Sequence, residues 1–310
     1  MNELRMKRLG RTELTVSEFC LGTYQITGEF SVPRTDAMAV LRRAFESGVN
    51  FVDTAQMYGY GESEELVARA VAEFPNKEIR IATKVGHLNR GIVAFGDAGA
   101  YKNEDLLMRT IEHSLHTLRK DSIDLFMIHE PDWDVWGLDL KTGDAPVMNV
   151  LDRLKREGVI KSIGLGTTNA DNCADLVETG RFDAFLIAIQ YDLLVRTAKE
   201  RLIPAAKKHD AGVIVGTPFR QGVLAVRRNI KDLEAEGMDA DMIRKMGSIY
   251  KICDETGMEL AELSIRYLIS DPDVDCVAIG AQTVAQLDMN IDSMKKGGLP
   301  KGVYEKLDKI

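Results

Sequence analysis

Three ionisable side chains in this sequence stand at the ends of short apolar runs, and a tyrosine follows one of them. Asp53 ends "FVD", Lys84 ends "IATK" and His129 ends "FMIH". Tyr58 follows Asp53 by five residues, in the glycine-flanked segment "MYGYG". Any one of the four has an ordinary explanation, as a helix cap, a solvated lysine, a core histidine or a packed aromatic ring. Their combination predicts acid–base chemistry.

The chemistry that suits these residue types is protonation of a carbonyl oxygen. A tyrosine with an unperturbed pKa of about 10 is a poor acid–base group near neutrality. An ammonium from Lys84 would favour the phenolate and lower the pKa of Tyr58; a lowering of about 2–3 would correspond to roughly 3–4 kcal/mol. Asp53 would hold the lysine, and His129 would orient the carbonyl oxygen while Tyr58 donates its proton. One histidine and one carboxylate are too few ligands for zinc, so no metal is expected.

Eight strand–helix units must position these residues. Apolar runs alternate with helical patterns from "EFCLGT" and "RTDAMAVLRRAFESG" to "VDCVAIGA" and "TVAQLDMNIDSMKK", with no Gly/Pro-rich linker between them. Near-continuous apolar strands are typical of a parallel sheet covered by helices. Eight such units predict one (β/α)8 TIM barrel, and a single domain over residues 1–310, rather than an open sheet. The opening "MKRLGRTELTVS" predicts an N-terminal β-hairpin with "RTEL" at its turn.

In such a barrel the carboxyl ends of consecutive strands are neighbours on one rim. We therefore expect Asp53, Lys84 and His129 to converge there, within reach of Tyr58. The glutamates at positions 62, 64 and 65 are interpreted as the charged first turn of the following helix, where acids complement the helix dipole.

Three connections after strands are longer than a barrel needs, at residues 86–102, 130–146 and 217–239. All three lie on the same rim, where long loops are usually functional. The only tryptophans, Trp133 and Trp136, lie on the second of these loops. Local packing and the wall of a pocket for an apolar or ring-bearing substrate are both open interpretations of the two rings.

Composition and charge argue against several classes of protein. The 310-residue chain is 45% hydrophobic, which is ample for a large core. Its formal net charge of −8 argues against a nucleic-acid or anionic-membrane partner, which would require a basic face. No segment resembles a signal peptide or a membrane span, and Cys20, Cys173, Cys253 and Cys276 form no CxxC pair. These features predict a cytoplasmic protein with separate, reduced thiols.

The sequence resembles the aldo-keto reductase family over nearly its whole length. The matching segments occur in the family's order: "RLGRTELTVSEFCLGT", "FVDTAQMYGYGESEE", "IATKVG", "DSIDLFMIHEPD", "IKSIGLGTTN", "TPFRQGVL" and "IGAQTVAQLDMN". The resemblance implies that the family's catalytic tetrad is Asp53, Tyr58, Lys84 and His129. It implies hydride transfer from a reduced nicotinamide to an aldehyde or ketone with Tyr58 as general acid, or alcohol oxidation with Tyr58 as base. The implied partner is a small carbonyl compound or alcohol.

The resemblance also implies a dinucleotide that lies extended over the barrel mouth, without the glycine fingerprint of a Rossmann fold. Gly22, Thr23 and Asp53 match positions near the nicotinamide. Thr168 and Asn169 stand in the region of a Ser-Asn pair that binds its carboxamide. The positions that match the pyrophosphate loop and the adenosine end are Thr217, Phe219, Gly222, Gly280, Ala281, Gln282, Thr283, Gln286 and Asn290.

Several positions depart from the family's pattern. The family's glutamine after the sixth strand aligns with Ala188, and Gln190, two residues on and on the same side of a strand, is predicted to replace it. The aromatic residue that often stacks on the nicotinamide is here Gly216. Gln282 stands where the family commonly has Lys or Arg, and Gln286 where a further basic residue is sometimes found. Charged donors hold a 2′-phosphate best, and neither glutamine carries a charge. NADP(H) is therefore favoured only slightly, on the family's usual preference, and NAD(H) is a serious candidate.

Other functions stay open beside carbonyl reduction. One is a sugar or polyol dehydrogenase that mainly oxidises alcohols. Another is a nucleotide-binding regulatory subunit that keeps the fold and turns over slowly, although the complete set of four residues argues against it. A metal- or phosphate-dependent barrel enzyme is disfavoured because the sequence has no cluster of ligands. The sequence makes no prediction of the oligomeric state.

Overall fold

The computed structural model describes residues 3–86, 98–132 and 134–310. Within them, eight parallel strands close into a barrel in which each strand pairs with the next along the chain and the last with the first. A two-stranded antiparallel hairpin precedes the barrel. The predicted (β/α)8 barrel with an N-terminal hairpin is confirmed. The strands are β1 (Met6–Arg8), β2 (Thr15–Ser17), β3 (Phe19–Gly22), β4 (Phe51–Asp53), β5 (Arg80–Val85), β6 (Ile123–His129), β7 (Ile160–Thr167), β8 (Ala184–Ala188), β9 (Gly212–Gly216) and β10 (Cys276–Gly280).

The barrel strands are apolar throughout because both of their faces are buried. Side chains alternate along each strand, so that one set fills the barrel and the other packs under the helices. The interior set includes Cys20, Phe51, Leu125, Met127 and Ile214. The outward set belongs to a larger core between sheet and helices, and includes Phe19, Leu21, Val52, Phe126 and Ile128.

Helices cover the outside of the barrel, with apolar residues at helical spacing facing the strands. In the described part of the chain, none of them combines the length and apolarity needed to cross a bilayer. They are α1 (Arg34–Glu46), α2 (Glu62–Ala72), α3 (Glu104–Leu118), α4 (Pro146–Arg156), α5 (Ala170–Glu178), α6 (Leu202–His209), α7 (Ile230–Ala235), α8 (Ala240–Thr256), α9 (Leu260–Ile269), α10 (Val284–Lys295) and α11 (Lys301–Asp308).

The sequence pattern placed a single helix between β9 and β10, but α7, α8 and α9 all lie there. Most residues of α9 are buried, so its sequence "LAELSIRYLI" lacks the clear polar face by which an amphipathic helix is recognised. The pattern also missed α11, which ends at Asp308, two residues before the end of the given sequence.

The hairpin β1–β2 closes the amino-terminal end of the barrel. Leu9, Leu14 and Val16 belong to the same buried cluster as the barrel interior. The approach is close: a Cβ on Gly212, at the start of β9, would lie 2.7 Å from Cγ of Leu9. A Cβ on Gly10, where φ is +50°, would lie 2.1 Å from the backbone of Gly212. Both positions therefore require glycine.

Short acidic or amide side chains complete the ladder at the amino-terminal rim. Just outside the strand pairing, a carboxylate or amide oxygen accepts the backbone N–H of the preceding strand. Asp124, Asp183 and Asp275 accept such N–H groups at 2.9, 2.8 and 2.8 Å, and Asn50 accepts the N–H of Ser17, the last residue of β2, at 2.7 Å. Unpaired N–H groups at strand ends are thus satisfied, and the opposite rim is left for the functional groups.

Candidate active site

The ends of β4 and β5 place a buried carboxylate against a buried ammonium. Lys84 Nζ lies 2.7 and 2.8 Å from the two carboxylate oxygens of Asp53. It also donates to the carbonyl of Thr54 at 2.9 Å and contacts the hydroxyl of Tyr58 at 3.1 Å. A Cβ on Gly166, on β7, would lie 3.2 Å from the lysine Cδ, so glycine leaves room for this side chain. The sequence prediction that strand-end residues converge is confirmed for these three groups.

Burial and charge act against each other in the ion pair. Burial favours the neutral amine, but the charges of Asp53 and Tyr58 and the hydrogen bonds to both raise the pKa of Lys84 above its ordinary value. Burial raises the pKa of Asp53, while Lys84 acts in the opposite direction. Lys84 therefore stays an ammonium at neutral pH, with Asp53 as its counter-charge. Removing one partner of such a pair typically costs about 3–5 kcal/mol, because the other charge is left buried alone.

Tyr58 keeps its proton near neutral pH. Burial raises the pKa of its phenol above the ordinary value, and Lys84 opposes this shift without overcoming it. The expected lowering of the Tyr58 pKa is therefore wrong. The Tyr58 side chain is partly buried, and the resulting desolvation disfavours the phenolate more than an ammonium shared with Asp53 favours it. The protonated phenol is the form that a proton donor needs.

Two further rings flank Tyr58. His129, the last residue of β6, meets it edge to face, with ring centroids 6.0 Å apart. Tyr24 lies on another side, with centroids 4.9 Å apart, and is 43% exposed. Sequence reasoning missed Tyr24, although an aromatic residue two positions after the strand that pairs with β4 was a usable signal. The four predicted residues and Tyr24 thus surround one point of the rim.

The turn that carries Tyr58 depends on glycine. Gly59, Tyr60 and Gly61 have φ values of 59°, 55° and 91°, all in the left-handed region. A Cβ on Gly59 would lie 2.8 Å from Cβ of Thr27, so a side chain is excluded there. This tight reversal returns the chain to α2 and leaves the Tyr58 ring over Lys84, with Nζ 4.7 Å from the ring centroid.

Glu62, Glu64 and Glu65 lie in the first turn of α2, as predicted, but Glu64 faces the protein interior. Its side chain is fully buried, and Thr83 donates to Oε1 at 2.6 Å. Oε2 has no hydrogen-bond partner within the described residues, a condition that typically costs about 1–3 kcal/mol. Burial raises the pKa of Glu64 to about 7, against the effect of the hydrogen bond from Thr83 and of the nearby Ser114 hydroxyl. Its helical spacing to Val67 and Ala68, both buried, was the signal that placed it on the inner face.

The opposite arc of the rim carries almost no side chains. β3, β9 and β10 end in Gly22, Gly216 and Gly280, and β8 ends in Ala188. Gly22 and Gly280 are Cα partners on adjacent strands, and a Cβ on Gly280 would lie 3.0 Å from the Gln25 side chain. The strand ends therefore add almost no side chains to this arc, and the Gln25 side chain lies beside Gly280. The match of Gly22 to a position near the nicotinamide stays a prediction.

Thr168 and Asn169, predicted as carboxamide ligands, are bound to the loop after β6. The backbone N–H and the hydroxyl of Thr168 both lie 3.1 Å from Oε2 of Glu130. Asn169 donates to Asp132 at 3.1 Å and caps α5 with its side-chain oxygen. Burial raises the pKa of Glu130. Because the Asn169 amide is already used within the protein, its role as a ligand stays a prediction.

Of the two tryptophans, only Trp136 lies among the residues that the structure describes. Trp136 is fully buried, packs edge to face on Tyr101 at 4.8 Å, and donates its indole N–H to the Glu130 carbonyl at 3.1 Å. Local packing is therefore the correct interpretation of Trp136. Trp133 and residues 87–97 of the first long loop lie outside the described residues.

Gln190 does not lie where strand alternation predicted. β8 ends at Ala188, and Ile189 has a φ of 56°, so the extended chain stops before Gln190. The side-chain oxygen of Gln190 accepts a hydrogen bond from the hydroxyl of Thr197. The argument that Gln190 faces the same side as Ala188 is wrong, because the backbone turns one residue earlier.

The loop after β9 has a fixed, partly left-handed backbone. Thr217 and Gly222 have φ values of 57° and 100°, and Phe219 packs against the core. Arg220 donates to Asp192 at 2.9 Å and to a backbone carbonyl just after β8 at 2.6 Å. The Asp192 side chain is fully buried, so this ion pair joins the two loops. The loop's match to a pyrophosphate site stays a prediction.

The start of α10 presents amide and hydroxyl groups at the predicted adenosine end. The backbone N–H of Gln282 donates to the Gln286 side chain at 2.9 Å. Thr283 caps the helix by accepting the Gln286 N–H at 3.2 Å. Ala281 and Asn290 are buried beneath them. Neither glutamine supplies the charge that a 2′-phosphate prefers.

Comparison with known protein families decides the class of the protein. Residues 18–310 match the profile described as the aldo/keto reductase family. The chain belongs to this family. The resemblance stated from the sequence motifs is therefore confirmed, and with it the class of oxidoreductase acting on C=O or CH–OH groups.

Individual proteins similar to this aldo/keto reductase are known. A Microbacterium luteolum protein named pyridoxal 4-dehydrogenase is 28% identical, over 92% of this chain and 91% of its own. An Escherichia coli protein named NADH-specific methylglyoxal reductase is 26% identical, over 92% of each chain. The holo form of an aldo-keto reductase from Bacillus halodurans superposes with a TM-score of 0.81 at 23% identity, over 99% of this chain and 96% of that one. This last likeness confirms the barrel fold.

Proposed function

We propose that this aldo/keto reductase transfers hydride between a nicotinamide dinucleotide and the carbonyl carbon of a small aldehyde or ketone, with Tyr58 as proton donor. The observation that carries the proposal is the 3.1 Å contact between Lys84 Nζ and the Tyr58 hydroxyl, beside a buried ion pair. On the same rim, β3 and β10 end in Gly22 and Gly280, and the absence of side chains on these two residues suits the flat nicotinamide ring.

The dinucleotide supplies the hydride, and the residues of this chain handle the proton. His129 orients the carbonyl oxygen beside Tyr58. Tyr58 then donates its phenol proton as negative charge develops on that oxygen. Lys84 stays charged and stabilises the phenolate that remains, while Asp53 holds Lys84 in place. In the reverse direction, the Tyr58 phenolate would accept the proton of an alcohol.

Small aldehydes are the proposed substrates. The names of the two relatives refer to pyridoxal and methylglyoxal, which are both aldehydes. The half-exposed ring of Tyr24 beside Tyr58 adds an apolar wall on which a planar substrate can pack. The second proposed substrate class is a sugar or polyol that is oxidised at a carbinol carbon.

The decisive experiment is a panel of substrates with both cofactors. Pyridoxal, methylglyoxal, a simple ketone and an aldose would be tested with NADPH and NADH, and a polyol with NADP+ and NAD+. We expect multiple turnovers with at least one aldehyde, followed by the absorbance of the reduced nicotinamide. Tight dinucleotide binding with a single slow turnover on every substrate would instead identify a regulatory subunit. Absence of both binding and turnover would contradict the proposal.

For the cofactor, we propose weak discrimination, with NADP(H) only slightly ahead of NAD(H). The usual cofactor preference of the family supports NADP(H). The amides of Gln282 and Gln286 lack the charge that would strengthen this preference. The relative from Escherichia coli, named as NADH-specific, supports use of the smaller dinucleotide. Thr283 and the backbone N–H groups at the start of α10 would hold phosphate in either case.

We also propose a cytoplasmic location. All four cysteines, Cys20, Cys173, Cys253 and Cys276, are free and buried, which suits a reducing compartment.

In residues 3–86, 98–132 and 134–310, no group of three His, Cys, Asp or Glu side chains is arranged to hold a metal ion.

A further inference from the structure

Ser63, in the first turn of α2, joins the ends of two barrel strands. Its Oγ lies 2.6 Å from Oγ1 of Thr23, just after β3, and 2.7 Å from Oγ1 of Thr54, just after β4. All three side chains are fully buried. The Thr54 carbonyl in turn accepts a hydrogen bond from Lys84 at 2.9 Å. The helix therefore holds the backbone that binds the ammonium.

Glu64, the next residue, joins the same helix to β5. Thr83 donates to Glu64 Oε1 at 2.6 Å. Because side chains alternate along a strand, Thr83 points out towards the helices while Lys84 points into the barrel. Tyr58 belongs to the segment that leads directly into α2. The Glu64–Thr83 bond thus connects the segment that carries the phenol with the strand that carries the ammonium.

A carboxyl group at this position needs an explanation. Glu64 and Thr83 are both fully buried, so bulk water cannot replace their bond. An apolar side chain on this face of α2 would avoid burying a polar group. The site described so far uses Glu64 for no step of proton transfer.

We propose that Glu64 is a positioning residue for proton transfer. Its bond to Thr83 sets the separation between the Tyr58 hydroxyl and Lys84 Nζ, and this inference rests on the proposed role of Tyr58 as proton donor. A displacement of about 1 Å in a catalytic group can lower a rate by about 100-fold. Without the bond, α2 and β5 are free to shift relative to each other, and the ammonium loses its fixed contact with the phenol.

The test compares variants of Thr83. Thr83→Val keeps the shape and removes the hydroxyl, whereas Thr83→Ser keeps the hydroxyl. Glu65→Gln is the matched control, since Glu65 lies on the same turn but pairs at the surface with Arg34 and Arg69. We expect Thr83→Val to lower kcat by about tenfold or more, with KM and dinucleotide affinity changed by less than about twofold. Thr83→Ser restores most of the turnover, and Glu65→Gln keeps it.

A second measurement reports the position of Tyr58 without turnover. The protein would be labelled with 13C at the tyrosine ζ carbon, and the Tyr58 resonance assigned by its loss in Tyr58→Phe. We expect this resonance to shift in Thr83→Val and to stay in place in Thr83→Ser and Glu65→Gln. If Thr83→Val does not fold, Thr83→Ala serves the same comparison.

The outcomes separate this inference from the proposed function. A shifted resonance in a protein without carbonyl turnover would refute the proposed function and support the positioning. A resonance and a kcat in Thr83→Val equal to those of the wild type would overturn the positioning, whatever the substrate. A loss of kcat in Thr83→Ser as large as in Thr83→Val would also overturn it, because the hydroxyl would then be irrelevant.

Discussion

Lys84 contacts the Tyr58 hydroxyl at 3.1 Å with an ammonium that Asp53 already neutralises at 2.7 Å. The ammonium is therefore too well compensated to remove the proton from a partly buried phenol, and Tyr58 stays protonated at neutral pH. Its charge becomes useful when the proton leaves, because the phenolate then forms beside a cation that is already in place. The arrangement suits donation of a proton to a carbonyl oxygen.

Tyr58→Phe should reduce carbonyl turnover by at least about 100-fold, since general acid catalysis typically contributes 10²–10⁴-fold. The phenyl ring keeps the packing against Tyr24 and His129, so dinucleotide affinity should be nearly unchanged. Steady-state kinetics and a fluorescence titration with NADPH would measure the two effects. Tyr60→Phe is the control, because Tyr60 is 52% exposed in the same turn. Full turnover of Tyr58→Phe on every substrate would rule out the proton-donor role.

Lys84→Met should lower both activity and stability, because Asp53 is then a buried charge without its counter-ion. The expected loss is about 3–5 kcal/mol in the free energy of unfolding. The double variant Asp53→Asn/Lys84→Met removes both charges and should recover most of the stability but none of the turnover. Chemical denaturation and substrate kinetics on both variants and on the wild-type protein would check this. A double variant as unstable as Lys84→Met would mean that the ion pair is not the source of the loss.

Gln282→Arg should increase the preference for NADPH over NADH by about tenfold, since a hydrogen bond to a charged group contributes about 1.5–3 kcal/mol. The gain should shrink at high salt, because exposed charges are screened. Gln282→Met is the control, since it removes the amide without adding charge. Dissociation constants for both dinucleotides at low and high salt are the measurement. An unchanged ratio in Gln282→Arg would show that the adenosine end lies elsewhere.

Glu64→Gln should change how stability depends on pH. The pKa of Glu64 is about 7 in the folded protein against an ordinary 4.5, so the folded protein holds this proton more tightly. This proton stabilises the folded protein by up to about 3 kcal/mol. The stabilisation is fully present when the pH is below the ordinary pKa of 4.5, and it is lost as the pH rises through 7. Glutamine does not titrate, so the variant should gain stability relative to the wild type between about pH 5 and about pH 8.5.

The check on this prediction is the difference between denaturation midpoints of the two proteins at each pH. Glu65→Gln is the control, because the pKa of Glu65 is lowered, and that carboxylate should stay ionised over the whole range. If the midpoints of the wild type and of Glu64→Gln differ by the same amount at about pH 5 and at about pH 8.5, the raised pKa of Glu64 is contradicted.

The barrel and the convergence of its polar residues could be predicted because both follow from short-range patterns. Strand–helix alternation determines the class of fold, and in a closed parallel barrel the strand ends meet on one rim. Asp53 and Lys84 stand at such ends, and Tyr58 follows within a turn that its glycines permit. α9 was missed because a helix buried on most sides has little periodicity to detect.

The sequence by itself thus determined which residues meet, whereas the tertiary structure decided what state they are in. The pKa of Tyr58 is raised because many neighbouring atoms, most of them distant in sequence, exclude water from the phenol. The spacing of residues in the sequence does not reveal these neighbours. Gln190 leaves its predicted place because Ile189 adopts a left-handed φ that only the surrounding loops can hold. Glu64 looks like Glu62 and Glu65 in sequence, but the packing of α2 on β5 buries it against Thr83. Desolvation and backbone strain are properties of the assembled structure.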